Sequence, residues 1–167
     1  MSCSKAGFTL LEVLVVMVII GIILTFTTLS IGDGGREAQL KQEAQRLAAL
    51  LSLAQEQAVF QAQEWGLAVY PDHYQFYLWQ PQGWQLVTTE TIFKPRFIPK
   101  GMALEVQLEG RPLLLGEKSE SNPQILLLSS GELTPFEVTF RHETDTQLTY
   151  QLRGNLLGEL ALQRGPE

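Results

Sequence analysis

His73 and His142 are the only histidines in this chain, and neither stands at metal-ligand spacing from another good ligand. Each reads as a surface or strand histidine. Ser129-Ser130-Gly131 offers two hydroxyls ahead of a glycine. The Gly-x-Ser-x-Gly pattern that lifts a nucleophilic serine onto a sharp turn is absent, so a turn between strands accounts for them. Glu143 and Asp145 are a close acidic pair, but two carboxylates fall short of the oxygen shell that calcium takes. Gly32-Asp33-Gly34-Gly35 lacks the lysine and the serine or threonine of a phosphate-binding loop. Lys94, Arg96 and Lys100 form a small basic patch between prolines, read as solvated loop charge, with docking of an acidic neighbour as the alternative. Trp65, Trp79 and Trp84 read as core or sheet-face residues rather than a sugar-binding platform. Cys3 is the single cysteine, so no intrachain disulfide can form. The expectation is therefore a non-enzyme with no catalytic residue, no cofactor, no metal site and no small-molecule substrate.

One ionisable residue does not fit so bland a reading. Residues 8–31 carry a single charge, Glu12, and residues 13–24 are an unbroken apolar run. As a helix this segment measures about 36 Å, enough to cross a hydrocarbon core of about 30 Å. It is apolar on every side, unlike a surface helix. It is too long for the apolar part of a cleaved secretory signal, and Thr25-Phe26-Thr27-Thr28-Leu29 is a poor small-x-small cleavage site. A retained span fits, with Lys5 holding the N-terminus in the cytoplasm and the rest of the chain outside. A carboxylate inside such a span costs about 2.5–3.5 kcal/mol on insertion scales, which leaves two readings for Glu12: snorkelling to the interface, or pairing.

The context of Glu12 bears on the choice between them. Lys5-Ala6-Gly7-Phe8-Thr9-Leu10-Leu11-Glu12-Val13 resembles the signal sequence of type IV prepilins and pseudopilins. The resemblance implies that prepilin peptidase cuts between Gly7 and Phe8 and methylates the amine of Phe8, removing residues 1–7 as a leader and making Glu12 the fifth mature residue. It further implies that Glu12 neutralises the N-terminal amine of a neighbouring subunit. An intrachain pair one helical turn apart is the structural alternative. Either way, two charges that are costly alone in lipid become far less costly together.

Behind the membrane segment the pattern changes twice. Residues 36–65 contain neither glycine nor proline, and Leu40, Ala44, Leu47, Leu51, Ala54 and Ala58 recur in alternating steps of four and three. That is the apolar stripe of an amphipathic helix packed on a sheet. Leu50, Leu53, Val59 and Phe60 broaden it beyond a coiled-coil seam. The glycines of residues 32–35 are a break signal, leaving open a bend or two separate helices. From Gly66 onward short aromatic or branched runs alternate with turn residues, and strands are expected at 67–70, 74–79, 84–87, 103–108, 124–128, 136–141, 148–152 and 159–162. Residues 91–101 read as a connector and 116–123 as a mobile loop. The fold class is thus α+β and pilin-like: a long N-terminal α-helix, transmembrane in its first half, packed by its second half on an antiparallel β-domain. The expected divisions are a leader at 1–7, a transmembrane helix at 8–31, the outer half of the helix at 32–65 and a β-domain at 66–167. No internal repeat is present. A net charge of −6 makes nucleic acid an unsuitable partner.

The later segments narrow the family. The helix at 46–58, Gly66-Leu67-Ala68-Val69, and the run Ile125-Leu126-Leu127-Leu128-Ser129-Ser130-Gly131-Glu132-Leu133-Thr134-Pro135-Phe136 resemble the minor pseudopilin H family of type II secretion. The resemblance implies a subunit of a periplasmic fibre that drives folded proteins across the outer membrane, anchored by a single pass in the inner membrane with its C-terminal domain in the periplasm. Its implied partners are other minor pseudopilins, the major pseudopilin and, as processing enzyme, prepilin peptidase. Two alternatives stand beside it: a minor pilin of a type IV pilus serving adhesion, motility or DNA uptake, and a signal-anchored periplasmic enzyme or binding protein.

Overall fold

The computed structural model describes residues 10–28, 33–88, 91–116 and 122–165. The chain divides into two compact units, Met1–Ala38 and Gln39–Glu167. In the first lies helix α1, Leu10–Thr28, whose 19 residues carry a single charge, Glu12 in the first turn. Both ends of the expected 8–31 span fall outside the described residues, and among the described residues no helix is long and apolar enough to cross a membrane. Helix α2, Asp33–Gln61, takes Gly34 and Gly35 into its first turn. Residues 29–32 are not described, so the question of a bend or break there lies outside the described residues.

The stripe on α2 is buried as its spacing predicts: Leu40, Ala44, Leu47, Leu51, Ala54 and Ala58 are all fully buried. They belong to one apolar core with residues of two antiparallel sheets. The helix stops four residues before the expected limit of 65. Ala62 adopts φ 51°, the Gln63 N–H donates to the Ala58 carbonyl at 3.1 Å, and the Ala62 N–H donates to that of Val59 at 3.3 Å. This paired closure satisfies the last carbonyls of a helix and is normally made by glycine, so a search for Gly or Pro does not find it.

The first sheet contains β1 (Trp65–Val69), β2 (His73–Gln80), β3 (Gly83–Leu86), β4 (Arg96–Phe97) and β7 (Ile125–Leu127). Its order is β3-β2-β1-β7, with β4 paired to the start of β2. β1 is buried throughout because both of its faces are covered. Trp65, Leu67 and Val69 point to the main core, while Ala68 packs with Tyr70 and Tyr77 and against Trp84 on the other side. Gly66 is required there, since a Cβ would overlap the ring of Pro123. The second sheet, in the order β10-β9-β8-β5-β6, comprises β5 (Met102–Leu108), β6 (Arg111–Leu113), β8 (Phe136–His142), β9 (Asp145–Gly154) and β10 (Leu160–Arg164). Met102, Leu104, Val106, Phe136, Val138, Phe140, Tyr150 and Leu152 form its buried face. On the opposite face Arg141 pairs with Glu105 at 2.5 Å and Arg153 with Glu137 at 2.7 Å.

All eight expected strands are present within a few residues of their expected ends. Two short strands join them. The connector at 91–101 contains a 3-10 turn (Thr91–Phe93) and β4, and a proline-containing β6 follows β5. The expected mobile loop at 116–123 lies mostly outside the described residues, which omit 117–121.

Candidate assembly site

Gly7 and Phe8, the expected processing pair, lie outside the described residues. Glu12 is described and sits in the first turn of α1. On the opposite side of the helix from Glu12, Leu10, Val13, Leu14 and Met17 line one shallow surface, as residues spaced by three and four on a helix must. Leu10 is 85% exposed and Met17 66% exposed, a density of bare apolar side chain that water tolerates poorly. The chemistry available is one carboxylate on a helix that otherwise offers apolar contact.

The other candidate residues resolve into structural roles. His73 lies 2.6 Å from the Asp72 carboxylate and stacks on Tyr70 with ring centres 4.4 Å apart. That hydrogen bond is the main cause holding the Asp72 carboxyl below its ordinary range. His142 Nδ1 is 2.9 Å from the Thr144 hydroxyl. The Ser129 hydroxyl and N–H both donate to Glu64, at 2.7 and 2.8 Å, so the serine pair is a tied turn. Asp145 accepts from the Gln147 N–H at 3.0 Å. No cluster of three or more potential metal ligands occurs among the described residues. Trp65 is buried against Phe93, centre to centre 4.8 Å, whereas Trp79 and Trp84 meet edge to face on the surface of the first sheet at 5.2 Å.

The basic patch is not uniform. Lys94 and Lys100 are exposed, but the Nε of Arg96 is buried without a hydrogen-bond partner among the described residues. Arg96 is the register partner of Tyr74, whose hydroxyl is buried and equally unpartnered. Burial is the main cause that pushes the Tyr74 phenol up to about 12; Arg96 and Arg46 oppose it and Glu43 adds to it. Glu43, almost fully buried, is paired with Arg46. Tyr77 is likewise pushed up to about 12, first by burial and then by its hydrogen bond with Tyr70. At neutral pH both phenols keep their protons, and the Glu43–Arg46 pair is the charged contact among these groups.

Two features escape the sequence. Val59 and Phe60, expected to widen the buried stripe, are instead 50% and 89% exposed. They follow Ala58 by one and two positions, which on a helix turns them about 100° and 200° away from the core. Gln55 ties α2 to the turn after β7, its side-chain amide donating to the Gly131 carbonyl at 3.1 Å.

Comparison with known proteins sets these features in a family. The family described as Type II transport protein GspH matches residues 43–158, and the prokaryotic N-terminal methylation motif matches residues 3–28. Type II secretion system protein H of Pseudomonas aeruginosa is 37% identical over 145 residues, covering 81% of this chain and 82% of that protein. Its counterpart in Aeromonas hydrophila is 30% identical over 175 residues, covering 98% and 96%. In fold the chain is similar to the crystal structure of the minor pseudopilin EpsH from the type II secretion system of Vibrio cholerae. That likeness has a TM-score of 0.68 at 23% identity, over 78% of this chain and 97% of that one. The solution structure of Escherichia coli GspH gives a TM-score of 0.61 at 16% identity, over 77% and 90%. The chain belongs to the GspH family, the minor pseudopilins of type II secretion.

Proposed function

We propose that this chain is a building block of the type II secretion pseudopilus, acting by assembly and not by catalysis, in a fibre that drives folded proteins across the outer membrane. The observation that carries this reading is the presence in one chain of the methylation motif at 3–28 and the GspH match at 43–158. Prepilin peptidase cuts between Gly7 and Phe8 and methylates Phe8. Residues 8–31 then hold the subunit in the inner membrane, with Lys5 having set the orientation and the domain beyond lying in the periplasm. In the fibre the Glu12 carboxylate meets the methylated amine of Phe8 on a neighbouring subunit. Other minor pseudopilins and the major pseudopilin are its partners.

The test is to delete the gene and follow a secreted hydrolase. The expected outcome is enzyme trapped in the periplasm and released again when the gene is restored, with mass spectrometry of the restored protein giving N-methylated Phe8 as its first residue. Restoration with Glu12→Ala should leave the subunit in the membrane but out of sheared fibres. Unchanged secretion combined with lost surface pili would move the protein to a type IV pilus, and an unprocessed N-terminus would remove it from both.

A further inference from the structure

Four large apolar side chains stand exposed where the C-terminal end of α2 meets two turns: Val59, Phe60, Leu156 (57% exposed) and Leu157 (78%). The segments that carry them are tied together. Gln55 donates to the Gly131 carbonyl at 3.1 Å. Gly158 lies against both groups, so that a Cβ there would overlap the Gln55 amide and that same carbonyl. The methyl Cγ2 of Val59 is 3.9 Å from where a Cβ on Gly131 would sit, and the Leu133 N–H donates to the Leu156 carbonyl at 3.3 Å. Gly131 and Gly158 have φ of 91° and 81°, a region that favours glycine. The helix end is fixed in turn by the closure at Ala62. The apolar side chains are therefore carried on backbone that is already ordered, which lowers the entropy a partner must overcome. An exposed phenylalanine on rigid backbone is the type of residue that anchors interfaces.

Charge says what kind of partner fits. Glu56 lies one turn before Phe60, Glu132 follows Gly131 and Glu159 follows Gly158, all three exposed. The carboxylates of Glu132 and Glu159 contact the neutral side chains of Ser130 and Asn155, and among the described residues none of the three forms an ion pair. Two copies of this face would bring three carboxylates against three, and like charges across an interface are strongly unfavourable. We propose that the end of α2 with the turns at Gly131 and Gly158 is a docking surface for a different subunit, one presenting an apolar contact flanked by lysine or arginine. The inference rests on the assembly function proposed above.

The experiment uses the full-length chain in cells with an intact secretion system, carrying a photo-crosslinking phenylalanine analogue at Phe60 or Leu157, with the exposed Phe97, paired at the far end of β2, as the control position. The expected result is an adduct at Phe60 and Leu157, absent at Phe97, whose partner peptide maps by mass spectrometry to apolar residues flanked by Lys or Arg of another fibre subunit. Combining Glu56→Lys, Glu132→Lys and Glu159→Lys should lower the adduct about tenfold, and reversing the partner's basic residues to Glu should restore it. Glu56→Lys alone serves if the triple variant accumulates poorly. No adduct, an adduct between two copies of this chain, or a yield indifferent to charge reversal overturns the proposal. Hydrolase release in the same cells separates the two readings. Secretion that depends on the chain without the adduct removes the docking surface and leaves the assembly function, while secretion indifferent to deletion removes the assembly function itself.

Discussion

Tyr74 shows how a single buried group sets a pH limit. Its hydroxyl is buried with no hydrogen-bond partner among the described residues, and its phenol is pushed from an ordinary 10.0 up to about 12. As pH rises past about 10 the unfolded chain gives up this proton while the folded chain keeps it, so the folded state holds more protons and stability falls. The loss begins near the unfolded value, ends near the folded one, and amounts to about 2–3 kcal/mol for a shift of this size. Tyr77, also raised to about 12, adds loss of the same sign. Tyr74→Phe removes a hydroxyl that makes no bond, so it should leave stability at pH 7 within about 1 kcal/mol or raise it, and should shrink but not abolish the alkaline loss. Urea midpoints at pH 7 and pH 11, followed by tryptophan fluorescence, check both. A variant several kcal/mol less stable at pH 7 would mean that the hydroxyl is bonded after all.

Helix α2 carries two faces of opposite consequence. Leu47 is fully buried in the core, and Leu47→Ala should cost about 2–5 kcal/mol, the transfer term plus the cavity left behind. Phe60, though the larger side chain, is 89% exposed, and Phe60→Ala should change stability by less than about 0.5 kcal/mol. Parallel urea unfolding of the two variants checks the contrast; comparable losses would place Phe60 in the core. The buried stripe was legible because burial on a helix repeats with the turn, and the strands because alternation and turn residues repeat as well. β4 and β6 were not. β4 spans two residues and pairs only with the start of β2. β6 contains Pro112 and pairs only with β5, and an edge position is where a strand tolerates a residue without an N–H. The helix end hid for a related reason: Ala62 adopts the backbone conformation that sequence reading reserves for glycine. The docking surface was hidden in another way, since Gln55, Gly131 and Gly158 are far apart in sequence and meet only through the fold.

Over the whole chain, the carboxylate of the N-terminal helix and the folding core belong to different segments. Glu12 and its apolar surroundings belong to the first unit, whereas every buried member of the main core lies between Leu40 and Leu152, within the second. The residues of α2 before Leu40 that carry a described burial contribute no fully buried side chain. A chain starting at Arg36 therefore retains the main core and the ten strands found among the described residues, and should fold without lipid or partner to a single cooperative urea transition. Its fluorescence should report that transition through Trp65, which moves from full burial against Phe93 into water. Without the prepilin motif and Glu12 the same fragment should be absent from fibres, however stable it is. Aggregation of the fragment, or a transition much broader than that of the full chain in detergent, would instead show that the N-terminal helix contributes to the stability of the β-domain. Stability and incorporation would then be one property, and Glu12 variants would have to be read as folding defects as well as assembly defects.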